Sequence, residues 1–209
     1  MRLTVLLPLV SSLLLTGCVQ NPTKTYSELQ QSTRVLSLRQ ALSRGGSQPE
    51  IRRGTEQRFR ISGESGLVEE GGVRGNFEII EFKKDGQGPV RITVQSLCDC
   101  FGFNKYVMVP KIYLADATGA LVYVEPQRSY VASPTWGKPA SVISSWYAAN
   151  LSVGKYKLLV MADNSQIENK LTGPTNTSVS VVGRGTVVAE TYTTVLTAHP
   201  FGEFDLRID

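Results

Sequence analysis

Two cysteines one residue apart, Cys98-Asp99-Cys100, are the pair whose spacing most directly permits chemistry. Thiols this close can join in a small disulfide ring, exchange with an oxidoreductase, or offer with Asp99 part of a metal site. The plain alternative is a staple within the loop that follows Leu97. One-residue spacing is expected to hold the Cα atoms near the upper limit of disulfide geometry, which would make the bond easier to reduce. No histidine stands nearby to complete a metal site, because the chain's one histidine is His199.

His199 lies in His199-Pro200-Phe201-Gly202, which reads as turn chemistry between strands. A serine or cysteine nucleophile would need that ring oriented by a carboxylate, and no Gly-x-Ser-x-Gly elbow occurs. Glu69-Glu70 places adjacent carboxylates in a loop before Gly71-Gly72, not the separated pair that glycoside hydrolysis requires. Gly183-Arg184-Gly185 lacks the third glycine of a dinucleotide fingerprint, and no calcium-loop pattern is present. No catalytic residue, metal or cofactor is therefore assigned, and an enzyme is not expected.

Binding is the better-supported chemistry. Tyr130, Trp136, Trp146 and Tyr147 flank a loop containing Pro134, Gly137, Lys138 and Pro139. Flat amphipathic rings supply large contact area at low entropic cost, against a protein or a sugar. Trp146, inside a strand-like run, is expected in the core. Tyr130, Trp136 and Lys138 are the expected binding face. A net charge of +4 is too mild to argue for nucleic acid.

The elements that must position these residues follow from periodicity. The 209 residues suit one globular domain plus something short, and 19 Gly and ten Pro among many Val, Thr and Tyr favour strands and turns. Residues 26–44 contain no Gly or Pro, and Leu29, Val35, Leu36, Leu38 and Leu42 fall on one side at helical spacing. One helix is predicted, stopped by Gly45-Gly46 and followed by a linker over residues 48–54. From Glu56 the period becomes two, as in Val90, Ile92, Val94 and in Phe204, Leu206, Ile208. About ten short strands result, over residues 56–61, 76–82, 90–95, 106–114, 121–125, 141–147, 155–160, 178–182, 187–197 and 203–208. The adjacent Ile79-Ile80 breaks the alternation and suggests a bulge. Residues 172–185, rich in Gly, Thr and Ser, read as a mobile loop. The predicted fold is mainly β, an antiparallel β-sandwich preceded by one N-terminal helix.

The start of the chain carries an address. Arg2 precedes an apolar stretch over residues 3–15, interrupted by Pro8, Ser11 and Ser12. It falls short of the roughly 20 apolar residues that a spanning helix needs, and so reads as a cleaved export signal. Leu15-Thr16-Gly17-Cys18 resembles the lipobox of bacterial lipoproteins. That resemblance implies a signal peptide of residues 1–17, cleavage before Cys18, and acylation of Cys18. Several acyl chains, at about 0.8 kcal/mol per buried methylene, anchor permanently. Val19 stands where the family places Asp for inner-membrane retention, which implies the outer membrane and its periplasmic face. Residues 18–55 are then a lipid-anchored tether, helix and linker, and residues 56–209 the β-sandwich domain.

Within that domain, Val109-Pro110-Lys111-Ile112-Tyr113-Leu114-Ala115-Asp116, with Gly119 and the later Gly154-Lys155-Tyr156-Lys157-Leu158-Leu159-Val160-Met161, resembles two patterns. One is the C-terminal region of the maltose operon periplasmic protein family. The other is the small β-sandwich appended to many secreted bacterial peptidases. The former implies a periplasmic accessory role near oligosaccharide uptake, with no catalytic residues to carry over. Together these readings lead to an outer-membrane lipoprotein that acts as a non-enzymatic binding or scaffolding module for an envelope protein. The alternative is a carbohydrate-uptake accessory of the maltose operon type.

Overall fold

The computed structural model describes residues 21–44, 49–100, 105–182 and 186–209, without the side chains of residues 177–190. Cys18, Gly45-Gly46 and Gly183-Arg184-Gly185 lie outside the described residues. In chain order the elements are α1 (Pro22–Gln30), β1 (Leu36–Ser37), α2 (Leu38–Leu42), β2 (Glu50–Ile51), β3 (Glu56–Ile61), β4 (Gly66–Glu70), β5 (Val73–Lys84) and β6 (Val90–Leu97). There follow β7 (Tyr106–Met108), β8 (Pro110–Asp116), β9 (Leu121–Val122), β10 (Glu125–Ala132), β11 (Ser141–Ala148) and β12 (Gly154–Ala162). A 3-10 turn at Asn164–Gln166 leads to β13 (Lys170–Val182), β14 (Thr186–His199) and β15 (Gly202–Ile208).

The period-two alternation becomes a mainly β, sandwich-like fold, as predicted. A seven-stranded sheet runs β1-β4-β5-β12-β8-β9, with β2 also on β5. A five-stranded antiparallel sheet runs β10-β11-β6-β15-β3, and a three-stranded sheet runs β13-β14-β7. Ile80, Phe82, Leu114, Leu158 and Val160 of the first sheet share one buried core with Ile92, Val94, Phe204, Leu206 and Ile208 of the second. In β15 those three apolar residues point inward while Glu203, Asp205 and Arg207 remain at least partly exposed.

The bulge expected at Ile79-Ile80 is absent. The β5–β12 register runs without a shift from Lys84–Gly154 to Phe77–Met161. Both faces of β5 are covered instead. Ile80 and Phe82 enter the sandwich core, while Phe77 and Ile79 pack with Leu159 and Met161 against Leu38, Ala41 and Leu42 of α2. A strand buried on both sides reads as a continuous apolar run.

The single helix predicted over residues 26–44 is two helices. α1 ends at its C-cap, Gln31, and a capping box starts α2: the Ser37 side chain accepts from the Gln40 backbone N–H at 3.3 Å, and Gln40 Oε1 accepts from the Ser37 N–H at 2.9 Å. Between them Leu36–Ser37 pairs with Val68–Glu69. The Arg74 guanidinium donates to the Gln30 and Ser32 carbonyls, and the Lys157 ammonium to those of Leu42 and Arg44. At Gln30 and Leu42 these cations satisfy carbonyls that the helix ends leave open, and at Ser32 and Arg44 they hold the chain just beyond each cap.

The predicted linker contributes a strand, with Ile51 paired beside Phe82 and 1% exposed. Besides β1 and β2, the alternation pattern also missed β4, which holds Glu69 and Glu70, and most of β10. The predicted loop over residues 172–185 is largely strand, since β13 pairs with β14 from Lys170–Thr197 to Val182–Thr186. Thr and Val are strand formers, and Gly173-Pro174 costs only a register shift between Thr172 and Thr175. Among the described residues no helix is long and apolar enough to cross a membrane.

Candidate binding surface

β10 is an edge strand of the five-stranded sheet, and its residues from Glu125 to Tyr130 are all exposed. Its pairing with β11 shifts between Pro126 and Arg128, where proline lacks the N–H that a regular ladder requires. Further along, Val131 turns inward to pack with Cys98, Val142 and Leu196. The strand leads into a tight turn. Thr135 and Lys138 exchange backbone hydrogen bonds of 3.1 and 3.0 Å, leaving Trp136 and Gly137 at the tip. Gly137 adopts φ 76°, a conformation that glycine takes without steric penalty.

The structure places the predicted face as follows. Trp136 is fully exposed, at 103% of its reference area, and shares the tip with exposed Lys138. Tyr130 lies on β10, before the loop that it was expected to flank and in register with Ile143. The residue is 39% exposed, and the Arg128 guanidinium sits over its ring, 4.2 Å from the centroid. Trp146 is in the core at 9% exposure, as expected.

The base of this turn is tied to the long hairpin. Asn176 Nδ2 donates to Ser133 Oγ at 2.7 Å, and Thr194 Oγ1 donates to the same oxygen at 3.2 Å. A Cβ at Gly173 would come within 2.9 Å of the Val131 side chain, so the two hairpins approach closely there. The sequence reading missed Arg128, Ser133 and Asn176. The i, i+2 spacing of Arg128 and Tyr130 would have placed them on one strand face; nothing local points to Ser133 or Asn176.

The cysteine pair forms a separate constellation. Cys98 and Cys100 are joined in a disulfide with Cα atoms 5.3 Å apart. The expected approach to the upper limit, about 6.8 Å, is not seen. Cys98 is 8% exposed, whereas Cys100 is exposed. Between them Asp99 pairs with Tyr106 through backbone bonds of 2.8 and 3.2 Å. The Tyr106 ring lies 5.2 Å from that of His199, which also meets the Phe201 ring edge-on at 5.8 Å. His199 Nδ1 lies 3.2 Å from both the Phe201 N–H and the Phe201 carbonyl, and the tautomer decides whether it accepts from the one or donates to the other. Burial pushes the imidazole below its usual value, against smaller opposing effects of the Phe201 backbone and the Asp99 charge. Glu69, expected in a loop, instead pairs with Arg74 at 2.7 Å across the β4–β5 hairpin. Among the described residues no group of three or more His, Cys, Asp or Glu side chains is placed to hold a metal ion.

Compared with known proteins, the chain matches no family model and no curated protein.

Proposed function

We propose that this protein is an outer-membrane lipoprotein, anchored through Cys18 on the periplasmic face, whose β-sandwich is a non-enzymatic binding module for a protein partner in an envelope assembly. The observation that carries the reading is Trp136. A fully exposed indole sits at the tip of a hydrogen-bonded turn beside a cation, and the base of that turn is tied to a second hairpin. A bulky apolar ring in water is unfavourable, and a short pinned turn lowers the entropy lost on docking. Aromatic anchors of this kind dominate the energetics of protein interfaces.

Two experiments test the two halves of the proposal. Fractionating envelopes from cells that carry Cys18→Ser should show the protein lost from the membrane; firm retention at unchanged electrophoretic mobility would refute the anchor. A photo-reactive side chain in place of Lys138 should capture one discrete envelope protein. The same exposed indole also suits a sugar ring, so the carbohydrate-accessory reading is the competitor. A saturable, maltodextrin-dependent change in tryptophan emission that disappears in Trp136→Ala would put it in first place.

A further inference from the structure

A cleft of about 620 Å³ opens where the start of α1, the first residues of β7 and the root of the β13–β14 hairpin meet. Asn21, Lys105, Tyr106, Glu168, Lys170 and Thr197 contribute to its wall. Lys105, Lys170 and Glu168 all line the cleft, and none of the ion pairs among the described residues includes any of them.

The wall is held in place. The Lys170 ammonium donates to Thr197 Oγ1 at 2.8 Å, and the Thr197 backbone N–H donates to the Lys105 carbonyl at 2.7 Å. Asn21 caps α1, its side chain accepting from the Thr23 N–H at 2.9 Å. Glu168 has φ 63° and is the one non-glycine residue with positive φ among the described residues. A side chain with a Cβ is disfavoured there, and glycine or asparagine would serve the turn better. Such strained positions persist where the surroundings hold them and tend to gather at binding sites. Here the residue in that conformation, Glu168, is one of those that line the cleft.

We propose that this cleft binds the phosphoethanolamine headgroup of a membrane lipid, its phosphate between Lys105 and Lys170 and its ammonium against Glu168. The charge pattern matches a phosphodiester next to an amine, and a purely anionic ligand would have to tolerate Glu168. Position supplies the source. Asn21 is three residues after Cys18, a distance of at most about 10 Å along an extended chain. With the lipid anchor proposed above, on which the membrane source rests, the cleft lies at the level of the headgroups. Occupancy would fix how the domain stands on the membrane and hence where Trp136 is presented.

The test uses soluble headgroups and the processed full chain in phospholipid-free detergent micelles. Calorimetric titration compares glycerophosphoethanolamine, glycerophosphoglycerol and inorganic phosphate. Glycerophosphoethanolamine should bind at least tenfold more tightly than the other two. Glu168→Gln should abolish that preference and strengthen the binding of inorganic phosphate, because it removes the negative charge that an anion must tolerate, and Lys105→Gln should weaken both phosphodiesters. Circular dichroism of each variant separates lost binding from lost folding, and a preference that survives in folded Glu168→Gln would overturn the assignment of the carboxylate. Equal or tighter binding of inorganic phosphate or glycerophosphoglycerol would overturn the zwitterionic assignment, and no saturable binding would overturn the site. Because the probes are soluble, the result is independent of Cys18→Ser fractionation: binding with a failed anchor leaves the cleft standing, and an intact anchor without binding removes the cleft alone.

Discussion

Asn176 on β13 and Ser133, just past the end of β10, are joined by a 2.7 Å hydrogen bond, although 43 residues separate them in the chain. Through this bond the turn that carries Trp136 is braced by the long hairpin. Asn176→Ala, which removes this bond and a weaker one of 3.2 Å from the same nitrogen to the Pro174 carbonyl, should cost about 1–2 kcal/mol of stability. Thermal melts would read that loss. Photo-crosslinking from position 138 should fall in parallel, because the turn loses its brace.

Trp136→Ala should leave the melting behaviour within about 0.5 kcal/mol of the parent, since a fully exposed side chain contributes little to folding. The same variant should lose the envelope crosslink. A large loss of stability would show that the indole is covered in the native protein. An unchanged crosslink would place the partner's footprint elsewhere.

The Cys98–Cys100 bridge closes a very short loop, and on loop-closure entropy its removal should cost about 1.5 kcal/mol. Cys98 is 8% exposed among apolar neighbours, so Cys98→Ala with Cys100→Ser is the cleaner double variant. A loss well above about 3 kcal/mol in denaturant titrations would mean that the bridge holds more than its own loop.

His199 should make stability depend on pH. Burial holds its folded-state pKa below the usual 6.5, so below that pH the unfolded chain binds the proton more readily. Its contribution is fully present above pH 6.5 and is lost as pH falls through the lower folded value. Glu78 acts in the opposite direction. Desolvation, against a weaker effect of its bond from Ser65, raises its folded pKa above 4.5, so its contribution is present below 4.5 and is lost as pH rises through the raised value. His199→Asn, which keeps an acceptor for the Phe201 N–H, should therefore flatten the acid slope that begins just below neutrality. A slope as steep as the parent's would assign it to other groups.

Ile51→Ala should destabilise the protein by about 3 kcal/mol, the scale for truncating a buried aliphatic side chain. At 1% exposure Ile51 belongs to the sandwich core, although it stands in a stretch that reads as linker. A loss under about 1 kcal/mol would show that the segment is only loosely attached.

The difference between what was legible and what was not follows from the range of each interaction. Alternation in β6, β12 and β15 is a property of a single strand: inward residues must be apolar to leave water, and that pattern alone made the chain mainly β. The capping pair Ser37 and Gln40 is equally local and was there to be read. Alternation tells which side chains share a face, but not what covers that face. Only the packing of α2 under Phe77 and Ile79 showed why Ile79-Ile80 needs no bulge, and only pairing with β14 turned the polar residues of β13 into a strand. The two tryptophans were told apart by strand membership, Trp146 in the core and Trp136 at the turn tip. The Asn176–Ser133 brace and the cleft between Asn21, Lys105 and Glu168 join residues far apart in the chain. Nothing in any one stretch encodes such a meeting, because it exists only once the separate hairpins and α1 have docked.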